Sequence, residues 1–388
     1  MKITDVNAYV VVPDYGSLKD DTSEWQWTFV TIDTDAGLQG WGEASNPPRN
    51  ASLLTGAGIR AVREALIGEN AADIERLWHK LYRRYTYLGS GGFSSTIVSG
   101  IDIALWDLKG KALGRPVYEI LGGRMRDCVR TYANAWFADC ETPDDFAGAA
   151  RATVESGHDA LKLDPFLEMS PFHTAYVDGQ ISAAGEELGC DIVAAVRGAV
   201  GPDVEILVDA HGHYNVPTAV RLANRLYEES GIGWFEEPVP PGSLSALETV
   251  RQQVQVPICV GERLFTRFDF LPVLEKRLAD YLMPDVVWTG GISELKKIAT
   301  MAEAHYIPIS PHNAMGPGQI LAGAHVTMTV PNFYRLEHAV SCKPSYDRFL
   351  QEPLQWEGNG LRLWDRPGLG VDLDRQQLEA ARHPDWND

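Results

Sequence analysis

The stretch VEILVDAHGH, residues 204–213, decides the fold. Four of its first five residues are apolar, and the run stops at an acid, Asp209. A short apolar run of this kind reads as a strand buried on both faces. An amphipathic helical pattern follows at 216–230, with Pro217 near its start, and GWFEEP (233–238) then repeats the first event. Working outward, β-rich segments fall at 130–134, 159–164, 204–210, 233–236, 257–261, 281–285, 306–310 and 333–336, with helical patterns between them. The helix at 292–305 has Ser293 near its start. Eight strands alternating with helices predict an α/β fold with a parallel sheet closed into a TIM-type barrel.

In such a barrel the reactive groups stand at the C-terminal ends of the strands. From the third strand on, those ends are Asp209, Glu236, Glu262, Asp285, His312 and Glu337, at spacings of 27, 26, 23, 27 and 25 residues. Each spacing is one helix plus one strand, so six ionisable groups are directed to one mouth. Scattered surface charge has no reason to keep that period.

Asp209, Glu236 and Glu262 on adjacent strands form a cluster of hard oxygen donors. Alone they would repel and raise one another's pKa, and a divalent cation relieves this. Mg²⁺ fits, because it takes few carboxylates and keeps positions open for water and substrate. The alternative for any one such acid is a solvated loop-end charge or an arginine partner. Asp285 and His312 end neighbouring strands, and an Asp beside a His fixes its tautomer and raises its basicity. That pair reads as a general base, against a turn histidine in the PHN context at 311–313. His211 lies two residues beyond Asp209, so strand alternation turns both side chains the same way. It reads as a general acid, with a fourth metal ligand or a hydrogen-bond donor as its other roles. Glu337 is a donor if protonated, an acceptor for a substrate hydroxyl, or a partner of Arg335 or His338.

Outside the barrel, 2–13 and 26–44 alternate apolar and polar residues around a turn at Asp35-Ala36-Gly37. They predict a three-stranded antiparallel meander. Helical patterns follow at 55–67, 73–87 and 94–113, the last punctuated by Gly114 and Pro116. The expected organisation is an α+β capping domain at 1–128, the barrel at 129–345, and a segment at 346–388 that packs back on the cap. Cap segments 14–25 and 46–50 are expected to close over the mouth, and Tyr15, Trp25 and Asn46 read either as contacts to the far end of a substrate or as ordinary loop packing.

The 34 Lys and Arg face 53 Asp and Glu, a formal charge of −19. That argues against nucleic acid and against an anionic membrane surface. No apolar run approaches the roughly 18 residues of a membrane span, and MKITDVNAYV lacks a signal-type apolar block. The five scattered cysteines form no CxxC pair and read as reduced thiols of a cytoplasmic protein.

Taken together, Lys162, Asp209, Glu236, Glu262, Asp285, His312 and Glu337 after an α+β cap resemble the enolase superfamily in its mandelate racemase-like branch. ALWDLKGK (104–111), LGG (121–123), WFEEP (234–238) and MPD (283–285) before Gly290-Gly291 carry the likeness along nearly the whole chain. The resemblance implies a modified (β/α)7β barrel and one Mg²⁺ per subunit held by Asp209, Glu236 and Glu262. The metal would bind a substrate carboxylate and stabilise the enediolate left by proton abstraction. Racemases of this group usually carry Lys-x-Lys on the second strand, whereas here Asp164 replaces the second lysine. Asp-x-His on the third strand instead resembles the sugar-acid dehydratases. YANAW (132–136) and KLDPF (162–166) look most like gluconate and galactonate dehydratases. In that reading Asp285 and His312 take the C2 proton and His211 protonates the departing C3 hydroxyl. Lys162, Asp164 and Glu337 contact the substrate, a small sugar acid. Epimerase or cycloisomerase chemistry is the alternative. The family also implies a homo-oligomer, from dimer to octamer.

Overall fold

The computed structural model describes residues 1–13, 26–47, 51–87, 89–169 and 178–386. The chain opens with strands β1 (Ile3–Val11), β2 (Trp27–Thr34) and β3 (Gln39–Glu43), paired antiparallel in that order. Helices α1 (Ala51–Leu66), α2 (Ile74–Arg84), α3 (Phe93–Leu113) and the short α4 (Val117–Ile120) follow. Helix α3 ends where Gly114 takes a left-handed conformation, and Pro116 blocks its continuation. Strand β3 lies hard against α3. A Cβ at Gly42 would sit 2.3 Å from the Gly100 carbonyl, so only glycine permits that approach.

The barrel then runs β4 (Val129–Asn134), α5 (Pro143–Glu155), β5 (Ala160–Leu163), α6 (Ala183–Val200), β6 (Glu205–Asp209) and α7 (Val216–Ser230). It continues β7 (Trp234–Glu236), α8 (Leu244–Gln253), β8 (Ile258–Val260), α9 (Thr266–Glu275) and β9 (Tyr281–Leu282). Helices α10 (Gly291–Ala304) and α11 (Pro317–Thr327) and strand β10 (Leu336–Ala339) complete it. Strands β4 to β9 pair in parallel in sequence order, and β10 pairs with β4. The Asn215 side chain caps α7 by accepting from the Thr218 amide, with Pro217 in the first turn.

The strand expected at 306–310 contracts to Ile309, which bridges in parallel to Leu282 on one side and Phe333 on the other. Pro308 and Pro311 flank it and offer no backbone donors, so a longer ladder cannot form. The strand expected at 333–336 pairs with β4 three residues later, beginning at Leu336 opposite Thr131.

Inside the sheet, Tyr132, Leu207, Trp234, Cys259 and Met283 pack as a buried layer. The two-residue period of a strand then lifts Asp209 above Leu207 and Glu236 above Trp234. The site therefore rests on an apolar floor. All five cysteines are free.

After β10 come α12 (Lys343–Phe349), the hairpin β11 (Gln355–Glu357) and β12 (Gly360–Arg362), and α13 (Arg375–Ala380). The last residues return to the cap. The His383 amide donates to Val10 O at 2.9 Å and Trp386 Nε1 to Ala8 O at 3.1 Å. Earlier in the tail, β12 pairs antiparallel with Val129 and Arg130 of β4, at the end of the barrel away from the mouth. Among the described residues, no helix is long and apolar enough to cross a membrane.

Candidate active site

Strand β5 carries Lys162, whose ammonium is buried among three carboxylates. Nζ lies 3.1 Å from Asp209 Oδ2, 2.7 Å from Glu236 Oε1 and 3.1 Å from Glu337 Oε1. Burial alone would lower the lysine pKa, but Glu236, Glu337 and Asp209 outweigh it and hold the proton firmly. Asp209 and Glu236 are paired residues of adjacent strands. With Glu262, two residues past β8, they bring oxygens within 4.8 Å of one another, all buried. Burial and the Asp209 charge drive the Glu236 pKa well up. For Asp209 burial acts upward too, but His211 and Lys162 outweigh it and keep the carboxyl well below its ordinary range.

Four buried carboxylates thus face one buried ammonium. The partly exposed Arg263 lies 3.2 Å from Glu262 and 3.9 Å from Glu237, and His312 Nε2 lies 3.3 Å from Glu262. The excess of negative charge on hard oxygens is the environment a divalent cation such as Mg²⁺ requires, so the donor set fits one. Asp164, Asp209 and His211 also bring ligand atoms within 4.8 Å of one another.

Asp285 lies three residues past β9 and His312 three past Ile309. His312 Nδ1 is 2.6 Å from Asp285 Oδ2, leaving Nε2 toward the cluster at 3.3 Å from Glu262 and 3.9 Å from Glu337. Burial pulls the imidazole pKa down, but Glu337, Glu262 and Asp285 lift it to about 9. Glu337 accepts from Asn134 Nδ2 at 2.6 Å and from the Asn313 amide at 3.0 Å. Of the two side chains offered as alternative partners for it, Arg335 and His338, Arg335 pairs instead with Asp159 at 2.6 Å and Glu205 at 3.0 Å.

His211 reaches the mouth by a route other than strand alternation. Strand β6 ends at Asp209, and His211 has φ 46°, in the left-handed region. Its amide donates to Asp209 Oδ1 at 2.8 Å, so a turn folded onto the carboxylate sets its place. The imidazole is partly exposed, with Nδ1 3.4 Å from Asp209 and 3.6 Å from Asp164. Burial lifts the Asp164 pKa to about 6. All nine residues singled out in the sequence therefore gather at one end of the barrel.

Others stand there that spacing did not reveal. Glu237 is buried, accepts from the Gly261 amide at 3.2 Å, and is pushed by burial to about 7. Asn134 lies within the YANAW motif. Gln319 donates to Asp285, and the Trp288 ring lies 5.0 Å from that of His312. From the cap, Ser45 O accepts from Trp288 Nε1 at 2.8 Å. The Asn46 side chain is held within the cap, 2.9 Å from Thr55 Oγ1. Tyr15 and Trp25 lie outside the described residues.

Two family models match. Residues 145–377 match the enolase C-terminal domain-like family, and 18–122 the N-terminal domain of mandelate racemase / muconate lactonizing enzyme. The chain belongs to the enolase superfamily. Within its mandelate racemase-like branch, the chain is 31% identical to a D-gluconate/D-galactonate dehydratase of Picrophilus torridus, over 95% of this chain and 92% of that protein. It is 35% identical to a D-galactarolactone cycloisomerase of Agrobacterium fabrum, over 92% and 91%. A solved enolase-superfamily structure from Salmonella Typhimurium superposes with a TM-score of 0.90 at 30% identity, covering 97% of each chain.

Proposed function

We propose that this protein is a Mg²⁺-dependent dehydratase of a sugar acid, an aldonate such as D-gluconate or D-galactonate. The observation that carries the reading is the pair of imidazoles on two flanks of one carboxylate cluster. His312 is backed by Asp285 and stands beside Glu262; His211 stands beside Asp209.

A C–H next to a carboxylate is a very weak acid, because its anion gathers charge on two oxygens. Mg²⁺ held by Asp209, Glu236 and Glu262 would supply positive charge for that carboxylate and the enediolate. Lys162 holds Asp209 and Glu236 in place and adds its own charge. With Nδ1 committed to Asp285, Nε2 of His312 faces the cluster and is the nitrogen that would take the C2 proton. Hydroxide is a poor leaving group, so the C3 hydroxyl must leave as water, and His211 donates that proton. The enol then tautomerises to a 2-keto-3-deoxy acid. Asp164 stands beside His211 and the buried Glu337 beside His312, where substrate hydroxyls would be read. Activity in the cytoplasm as a homo-oligomer belongs to the same reading.

The similarity to a cycloisomerase favours a second reading, isomerisation or epimerisation of a carboxylate on the same scaffold. Asp164 weighs against two-sided proton exchange, because an acid replaces the second lysine base. The test is a panel of aldonic and aldaric acids with Mg²⁺, scored for 2-keto acid by semicarbazide. A 2-keto-3-deoxy product from at least one aldonate, lost on chelation, is expected. An inert panel refutes the proposal.

A further inference from the structure

The base is tied to the cap by a buried chain of hydrogen bonds. Glu43 ends β3 and is fully buried. Its Oε1 accepts from the Gly316 amide and the Ser45 hydroxyl, each at 2.7 Å. Its Oε2 accepts from the amides of Gly318 at 2.8 Å and Gln319 at 3.1 Å. The opening turn of α11, in the barrel, is thus wrapped around a carboxylate from the cap. A Cβ at Gly316 or Gly318 would lie 2.7 Å from Glu43 atoms, so this backbone is shaped to that side chain.

Gln319 is fully buried in the same turn. Its Oε1 accepts from the Met315 amide at 2.7 Å, and its Nε2 donates to Asp285 Oδ2. The first contact needs an acceptor and the second a donor, so the amide can sit only one way round. Asp285 Oδ2 is the oxygen that also takes His312 Nδ1. Asp285 Oδ1 is filled by the amides of Val287 at 2.7 Å and Trp288 at 3.1 Å. An aspartate χ2 angle is soft, and a donor on each oxygen is what stops its rotation.

We infer that Gln319 is a positioning residue for the His312 base, and that the cap, through Glu43, holds Gln319 in that position. The inference rests on the reading of His312 as the proton acceptor. Gln319 touches no substrate; it fixes the carboxylate plane that fixes the imidazole. A base displaced by about 1 Å loses on the order of 10- to 100-fold in rate.

The test uses full-length Gln319→Met, which keeps the bulk and removes the donor, and Glu43→Gln, which weakens the grip on α11. Two readouts are taken. With substrate, kcat of Gln319→Met falls roughly 10- to 100-fold while KM stays within about twofold. Without substrate, the ¹⁵N-histidine spectrum shows the Nδ1 proton of His312 far downfield, assigned by its loss in His312→Asn. That signal shifts or broadens in both variants. A folded Gln319→Met protein with wild-type kcat and an unmoved signal overturns the inference, as does a rise in KM alone. If no acid is turned over by the wild type, the functional reading fails, and the spectrum still decides whether Gln319 orients His312. Should Gln319→Met not fold, Glu43→Gln supplies the same two readouts.

Discussion

Lys162→Met exposes the electrostatic design of the site most sharply. The methionine keeps the length of the side chain and removes one ammonium from among Asp209, Glu236 and Glu337, at 3.1, 2.7 and 3.1 Å. At an effective dielectric of about 20, unit charges about 3 Å apart interact by about 5 kcal/mol. Desolvation offsets most of this, and removing one partner of a buried ionic cluster costs about 3–5 kcal/mol net. Protonation limits the damage. Burial and Asp209 already raise the Glu236 pKa, and losing the ammonium raises it further. A carboxyl whose pKa is raised in the folded state loses stability as pH rises through that pKa. The destabilisation is therefore no smaller near pH 8 than near pH 5. Bound Mg²⁺ would restore positive charge beside Asp209 and Glu236; at a hundred times its Kd, binding to the native state adds about 2.7 kcal/mol. Urea unfolding of both proteins at the two pH values, with and without Mg²⁺, gives the four differences. A Lys162→Met protein within about 1 kcal/mol of the wild type at both pH values, without metal, would refute this account of the cluster.

The two histidines give separable outcomes. His211→Asn retains exchange of the C2 proton with solvent but loses elimination by about 10²- to 10⁴-fold, the usual contribution of a positioned acid; equal loss of both would contradict a role in the second step. In the metal-free protein, His312 titrates near 9 rather than at its ordinary 6.5, and its proton stabilises the fold below that ordinary value and ceases to do so as pH rises through about 9. Mg²⁺ held by Glu262 would offset part of the negative charge that holds the value up, so an NMR titration is expected to show the His312 midpoint falling when metal is added. A midpoint indifferent to metal would separate His312 from the cluster.

The strand-end acids were legible because a barrel repeats every helix plus strand, and a period survives in one dimension. Asp209, Glu236 and Glu262 needed no knowledge of tertiary contacts. The seventh strand was not legible at its true length, because its prolines act through a ladder that only the fold defines. Strand alternation is not what brings His211 to the mouth. Alternation applies to strand residues, and this one sits in a left-handed turn held by the Asp209 carboxylate. Gln319 left no signal, being a neutral amide in an apolar helix whose partner stands 34 residues earlier. The links between cap and barrel were equally silent. Asp102 on α3 accepts from the Ser293 amide at 3.0 Å and its hydroxyl at 2.6 Å across 191 residues, and no local pattern announces such a pair.

The central claim is that His312 removes the C2 proton and the C3 hydroxyl leaves with a proton from His211. Turnover of an accepted aldonate in D₂O with Mg²⁺, followed by ¹H NMR, tests it directly. The account predicts a 2-keto-3-deoxy acid carrying one solvent deuterium at C3, with none formed by His312→Asn. Deuterium appearing at C2 of a substrate that never loses water would contradict it.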